Sequence, residues 1–143
     1  IVIVIIGILA AVALPRFIDV TAEAHKAAVA GTAGGLGSGI VLAHALWMVQ
    51  GQPVSVTLDG GASVPMNTGT GWPTISGAGS CVSVWDNVMQ DPPVAVNTGT
   101  AGDYVATVNS ATPPACTFTY LGSSSPTMTI TYDSANGNVT HVN

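Results

Sequence analysis

Residues 1–14 read IVIVIIGILAAVAL, a run without a polar side chain that ends at Pro15 and the charged Arg16. A transmembrane helix needs about 20 apolar residues, so this run alone is slightly too short to span a bilayer. A helix that is apolar all round is stable only in a bilayer or in the centre of a protein bundle. Ala11-Val12-Ala13 also fits the A-x-A cleavage pattern, so a secretory signal peptide stays open as an alternative.

Charged residues follow the apolar run at helical spacing. Arg16, Asp19, Glu23 and Lys26 step by three, four and three positions, which places them on one face of a helix. We expect a solvated stripe in which these charges pair within the helix. Contacts with another subunit or protein are the alternative.

The next segment combines many glycines with two helical stripes. Small residues at every fourth position would let another backbone approach closely, and these are Ala27, Gly31, Gly35, Gly39 and Ala43. Apolar residues on a neighbouring face repeat with the helical period, namely Val29, Ala33, Leu36, Ile40, Ala43 and Trp47. We therefore predict one helix from about Pro15 to Gln50, with a flexible linker over 31–39 as the alternative.

Short strands are predicted after Gly51. Residues 54–58 read as a strand followed by a tight turn at Asp59-Gly60-Gly61, and Gly71-Trp72-Pro73 reads as an ordered loop with an aromatic anchor. Alternating residues predict an antiparallel sheet of the strands 103–108, 116–120 and 127–132. Asn136-Gly137 is a strong type I′ turn signal, so residues 138–142 should return as a final strand.

A second, short helix is predicted between the strands. Ser80 could cap it, and Asp91-Pro92-Pro93 should stop it. Its docking face carries Cys81, Val84, Trp85, Val88 and Met89. The predicted fold class is therefore α+β, with an apolar helix over 1–14, an amphipathic continuation over 15–50 and a globular head over 51–143.

Charge is scarce and excludes one class of partner. The chain has two Lys and Arg residues against seven Asp and Glu, for a net charge of -5, and neither basic residue lies beyond Lys26. Nucleic-acid binding depends largely on cations that neutralise phosphates, so we do not expect it here. A surface made polar mainly by hydroxyls and amides suits subunits that pack side by side, because mutual repulsion is weak.

The two cysteines, Cys81 and Cys116, lie far apart and outside any C-x-x-C spacing, which argues against zinc or a redox pair. A structural disulfide is the favoured interpretation and would stabilise the fold by roughly 3 to 4 kcal/mol. Two buried free thiols are the alternative.

Motifs of catalysis and cofactor binding are absent from the sequence. It has no G-x-S-x-G, no phosphate loop followed by Lys and no evident Cys–His pair, so we expect no enzyme and no cofactor. His25, His44 and His141 are not at metal-ligand spacing, and we expect ordinary polar or half-buried histidines.

The stretch IVIIGILAAVALPRF, residues 3–17, resembles the amino-terminal helix of type IV pilins and pseudopilins. Mature members of that family start with Phe-Thr-Leu-Ile-Glu-Leu or a close variant, so the resemblance implies that about seven residues precede Ile1 and restore about 20 apolar positions. The family's glutamate, which pairs with the methylated amino terminus of a neighbouring subunit, would lie among those residues. The filament-core helix would then include Ile1, Val2, Ile3, Val4, Ile5, Ile6, Gly7, Ile8, Leu9, Val12 and Leu14.

Two residues are weak points of this helix. Gly7 costs backbone entropy, and Pro15 lacks an N–H and clashes with the carbonyl four residues earlier. We predict a kinked or locally melted helix between them in a fibre.

Three further features resemble the mannose-sensitive haemagglutinin branch of these pilins: Gly71-Trp72-Pro73, Cys81-Val82-Ser83-Val84-Trp85 and Cys116 before a Thr- and Tyr-rich strand. In that branch the cysteines would close a carboxy-terminal disulfide region whose loops decorate the fibre. The resemblance implies a pilin held in the inner membrane, cut by a prepilin peptidase, and assembled by a platform with ATPases and a secretin into an extracellular homopolymer. A pseudopilin of a secretion or DNA-uptake system and a membrane-anchored binding domain are the alternatives.

Overall fold

One helix of 48 residues, α1 (Val2–Val49), forms the first third of the chain in this computed structural model. The structure describes residues 1–58, 61–77, 80–110 and 112–143, and the side chains of 14–19 lie outside this description. The helical backbone continues through 31–39, so this segment is not a linker. It also continues through Pro15, while the kink predicted for the fibre stays a prediction.

The rest of the chain is a mixed α+β region. A hairpin of β1 (Ser55–Thr57) and β2 (Ser63–Pro65) comes first, followed by a short helix, α2 (Ser80–Val88). A five-stranded sheet then runs in spatial and chain order through β3 (Ala95–Val96), β4 (Tyr104–Asn109), β5 (Ala115–Tyr120), β6 (Thr129–Asp133) and β7 (Val139–Val142). The predicted α+β class is therefore confirmed.

The apolar stripe of α1 packs against this region, as its period predicted. Val29, Leu36 and Ile40 are fully buried, and Ala33, Ala43 and Trp47 are nearly so. From the other side, α2 contributes Cys81, Val84, Trp85 and Val88, while the strands supply Phe118, Ile130 and Tyr132. One hydrophobic core thus lies between α1, α2 and the sheet.

Glycine allows the two helices to cross closely. A Cβ added at Gly39 would overlap the backbone carbonyl oxygen of Val88, and one at Gly35 would lie 3.8 Å from the Met89 sulfur. A Cβ at Gly31 would meet nothing within 4 Å. The close approach predicted from the small-residue stripe is therefore real at Gly39, where α2 is the neighbour, and absent at Gly31.

Several local predictions differ from the structure. The predicted strands, β4 to β7, pair antiparallel as expected, but the sheet has one further strand, β3, which pairs with β4 in parallel. Asp103 and Val94, directly before these two strands, are joined by two hydrogen bonds: the Asp103 backbone N–H donates to the Val94 carbonyl, and the Asp103 carboxylate accepts from the Val94 N–H. Ser80 does not cap α2 but is its first residue, and its hydroxyl donates to the Gly77 carbonyl. Of the predicted turn at residues 59–61, the first two residues lie outside the described residues.

The turn between β6 and β7 is not type I′. That type needs positive φ at both central residues, whereas here Gly137 has φ of 72° and Asn136 is not among the residues of positive φ. A longer loop forms instead, since the Asp133 carboxylate accepts hydrogen bonds from the Ala135 N–H and from the Asn136 side chain. The final strand is present as predicted, beginning at Val139.

Replacement of Gly39 by alanine tests the helix crossing. We expect Gly39→Ala to lower the free energy of unfolding by about 1 to 3 kcal/mol, because the added methyl group must push α1 away from Val88. The control Gly31→Ala, in open space on the same helix, should be neutral or stabilise by up to about 1 kcal/mol. Urea unfolding of the full chain in detergent, followed by tryptophan fluorescence, measures both; equal effects would contradict the close crossing.

Candidate interaction surfaces

The amino-terminal part of α1 extends with its apolar side chains exposed. The exposed fraction is 99% for Ile1, 85% for Ile3 and 62% for Ile8, and among the described residues none lies within 4 Å of a Cβ added at Gly7. Val2, Val4, Ile5, Ile6, Leu9 and Val12 are likewise exposed, while the side chains of Leu14 and Pro15 lie outside the described residues. Large apolar side chains on all sides of a free helix require a partner that the isolated chain does not supply.

A membrane is one such partner. In the described part of the chain, Val20–Val49 is the helical segment long and apolar enough to cross a bilayer by length and composition, and 33% of its most apolar stretch is buried in the protein. Packing against the sheet explains the apolar stripe of that segment. Val2–Ala13 is a shorter apolar helical segment without such packing, and its exposed apolar side chains must be shielded from water by another molecule.

Of the charged stripe predicted at residues 16, 19, 23 and 26, the last two residues form an ion pair. Lys26 Nζ donates to Glu23 Oε1 at 2.8 Å, and this exposed pair has the i, i+3 spacing expected from the sequence. Exposed pairs of this kind contribute little to stability. The side chains of Arg16 and Asp19 lie outside the described residues.

Two histidines of α1 hold the head to the helix. The His25 ring shares a hydrogen bond of 2.9 Å with the Tyr120 hydroxyl. The His44 ring stacks on Trp72 with centroids 4.0 Å apart, so the ordered loop predicted at 71–73 is anchored to α1. His141 is exposed on β7. Among the described residues no group of three His, Cys, Asp or Glu side chains could hold a metal ion.

The predicted disulfide is present between Cys81 and Cys116, with Cα atoms 5.6 Å apart and both residues fully buried. It joins α2 to β5 beneath an aromatic cluster in which the Trp85 ring contacts those of Phe118 and Tyr104, at 4.4 and 5.0 Å between centroids. Nearby, the buried Tyr132 hydroxyl donates to the Pro73 carbonyl at 2.7 Å, and burial raises the pKa of this tyrosine. These contacts hold α2, the sheet and the loop at residue 73 together.

A groove along α1 was not predicted. It has a volume of about 830 Å³, and its wall on α1 includes Ala30, Gly34, Gly37, Ser38, Val41 and Ala45. Asn138, Val139 and His141, at and beside the edge strand β7, line the opposite wall. The small and apolar residues at positions 30, 34, 37, 41 and 45 have helical spacing and could have revealed this third stripe. Its second wall, however, comes from a strand about a hundred residues later and is not encoded locally.

Comparison of the chain with known protein families, with curated proteins and with solved structures finds no match.

The disulfide gives a second test. Replacing both cysteines by alanine should lower the free energy of unfolding by roughly 3 to 4 kcal/mol, because the unfolded chain regains the entropy that the cross-link removes. Urea unfolding of the oxidised protein and of the double variant measures the difference. The unsubstituted protein treated with a thiol reductant is the control and should fall to nearly the same value. A loss of less than about 1 kcal/mol would contradict a stabilising role for the cross-link.

Proposed function

We propose that this chain is a structural subunit of a type IV pilus, which polymerises through its amino-terminal helix into an extracellular fibre for adhesion, surface attachment or motility. One observation carries the proposal. The first part of α1 extends with apolar side chains exposed on all sides, while the second part of the same helix is built into the core of an α+β head.

Energetics support an assembly. Burying one large aliphatic side chain is worth about 1.5 to 3 kcal/mol, so a segment dominated by Ile, Val and Leu cannot be left in water. A bilayer covers it before assembly. In a fibre, the helices of many copies cover one another, and the apolar surface moves from lipid into a protein core.

The head supports an extracellular setting. A buried disulfide persists in oxidising compartments. Beyond Lys26 the sequence contains no Lys or Arg, so repulsion between neighbouring heads is weak and nucleic acid is not a natural partner. The resemblance of residues 3–17 to the amino-terminal helix of type IV pilins implies the partners before and during assembly. These would be a prepilin peptidase, an inner-membrane platform with ATPases and an outer-membrane secretin.

Helical image reconstruction of filaments sheared from the native cells tests the proposal. The expected result is a fibre in which this chain repeats with residues 1–14 near the axis and the heads outside. A chain found only as a membrane-held monomer would support an anchored binding domain instead. One found only in short envelope complexes would support a pseudopilin. Either outcome would overturn the major-pilin role.

A charge placed in the apolar segment provides a matched mutational test. Ile8→Asp should abolish fibres, because a carboxylate buried among apolar helices without a partner costs several kcal/mol. Val54→Asp, at a large apolar residue of the head that is 74% exposed, is the control and should leave fibres intact. Electron microscopy of sheared filaments and immunoblots of the membrane fraction provide the readout. Normal fibres from the Ile8→Asp variant would contradict the role of this segment.

A further inference from the structure

We infer that Asn136 is a site of spontaneous deamidation and that the carboxylate formed there loosens the turn before β7. In the sequence, Asn136-Gly137 is the only pair in which glycine follows asparagine. Asparagine reacts fastest before glycine, because a residue without a side chain lets its backbone nitrogen reach the neighbouring amide. Asn136 is exposed to water in the loop after Asp133. The site and its consequence are independent of the proposed polymer.

The fold keeps glycine at position 137. Its φ is 72°, a left-handed conformation that favours glycine, and a Cβ added there would overlap the Trp72 ring. Trp72 is in turn stacked on His44 of α1 with ring centroids 4.0 Å apart, so its ring is held in place. A larger residue that would slow the reaction therefore does not fit, and the labile pair is a consequence of the packing around this loop.

Hydrogen bonds fix the orientation of the Asn136 amide. Its Nδ2 donates to the Asp133 carboxylate at 3.0 Å, and its Oδ1 accepts from the Asn138 N–H at 2.9 Å. An ionised carboxylate can only accept and a backbone N–H can only donate, so the two ends of the amide cannot be exchanged. The Asn138 N–H therefore faces the oxygen on which negative charge develops when the amide carbon is attacked, and it stabilises that charge.

The reaction requires one local opening. The Gly137 N–H donates to the Asp133 carbonyl at 3.0 Å, in a turn at the end of the sheet where opening costs less than global unfolding. Once free, the Gly137 nitrogen gives its proton to hydroxide and forms a bond to Cγ of Asn136. The bond from Cγ to Nδ2 then breaks, and that nitrogen leaves as ammonia with a proton from water. Water opens the cyclic imide to aspartate or isoaspartate, so in total water is consumed and ammonia is released.

The product places two carboxylates side by side. An aspartate at position 136 no longer donates to Asp133, and its oxygen replaces the nitrogen that lay 3.0 Å from Asp133 Oδ2. Two carboxylates that close repel each other when both are ionised. Asp133 also accepts from the Ala135 N–H and donates to the Asn138 carbonyl. The repulsion therefore acts on the hydrogen bonds at which the pairing of β6 with β7 begins.

Mass spectrometry tests the site after incubation of the full chain in detergent at mildly alkaline pH. We expect the peptide with Asn136 to gain the mass of an amide-to-acid change about tenfold or more faster than the peptide with Asn97, an exposed asparagine followed by Thr98. Part of the product should be isoaspartate, which an isoaspartate methyltransferase labels. Asn136→Gln is the control and should stay unchanged over the same time, because the longer side chain closes a larger ring much more slowly. Equal rates at Asn136 and Asn97 would overturn the site.

Hydrogen exchange tests the consequence. In Asn136→Asp we expect the backbone amides of β7 to exchange about tenfold faster than in the unsubstituted chain. Asn97→Asp adds the same charge at an exposed position of the head and should leave the exchange of β7 unchanged. The combination of Asp133→Asn with Asn136→Asp again places an amide beside a carboxylate and should regain most of the protection. Unchanged exchange in Asn136→Asp, or no recovery in the combination, would overturn the loosening of β7 while leaving the deamidation site intact.

Discussion

Burial of one stripe of α1 against the sheet fixes the orientation of the whole helix. Val29, Leu36 and Ile40 lose all contact with solvent, and this apolar burial is the main favourable term in folding. Because this face is buried, the directions of the other faces of α1 are fixed as well. The side of Gly39 meets α2, the side of Gly34 is left outward beside β7, and the residues before the head project without cover.

The same helix therefore presents two kinds of surface. From Val29 to Trp47 it is amphipathic and belongs to the folded head, whereas residues 1–12 are apolar and exposed, without cover from the rest of the described chain. Glycine has different roles at two positions of the amphipathic part. At Gly39 it is required by the carbonyl of Val88, whereas at Gly34 the space that it leaves is open and available to another molecule.

The head is held together by contacts distant in sequence. Cys81 on α2 is bonded to Cys116 on β5, Tyr132 on β6 donates to the carbonyl of Pro73, and His25 on α1 meets Tyr120 at the end of β5. Each contact joins two elements that pack on the same core. The disulfide and these hydrogen bonds hold the head together without ion pairs. This agrees with the small number of charged residues after Lys26.

Local patterns in the sequence predict most of the elements and their buried faces. The helical period from Val29 to Trp47 identified the face of α1 that is buried, and the alternation in residues 116–120 identified a strand with Cys116 and Phe118 in the core. These patterns are local, because each repeats with the period of a single helix or strand. Three features appear only in the folded chain: β3 joins β4 in parallel, the loop after Asp133 is longer than a type I′ turn, and Gly39 faces Val88. The tertiary structure alone placed β7 beside the outer face of α1, because a groove with one wall on a helix and the other on a distant strand exists only once the chain has folded.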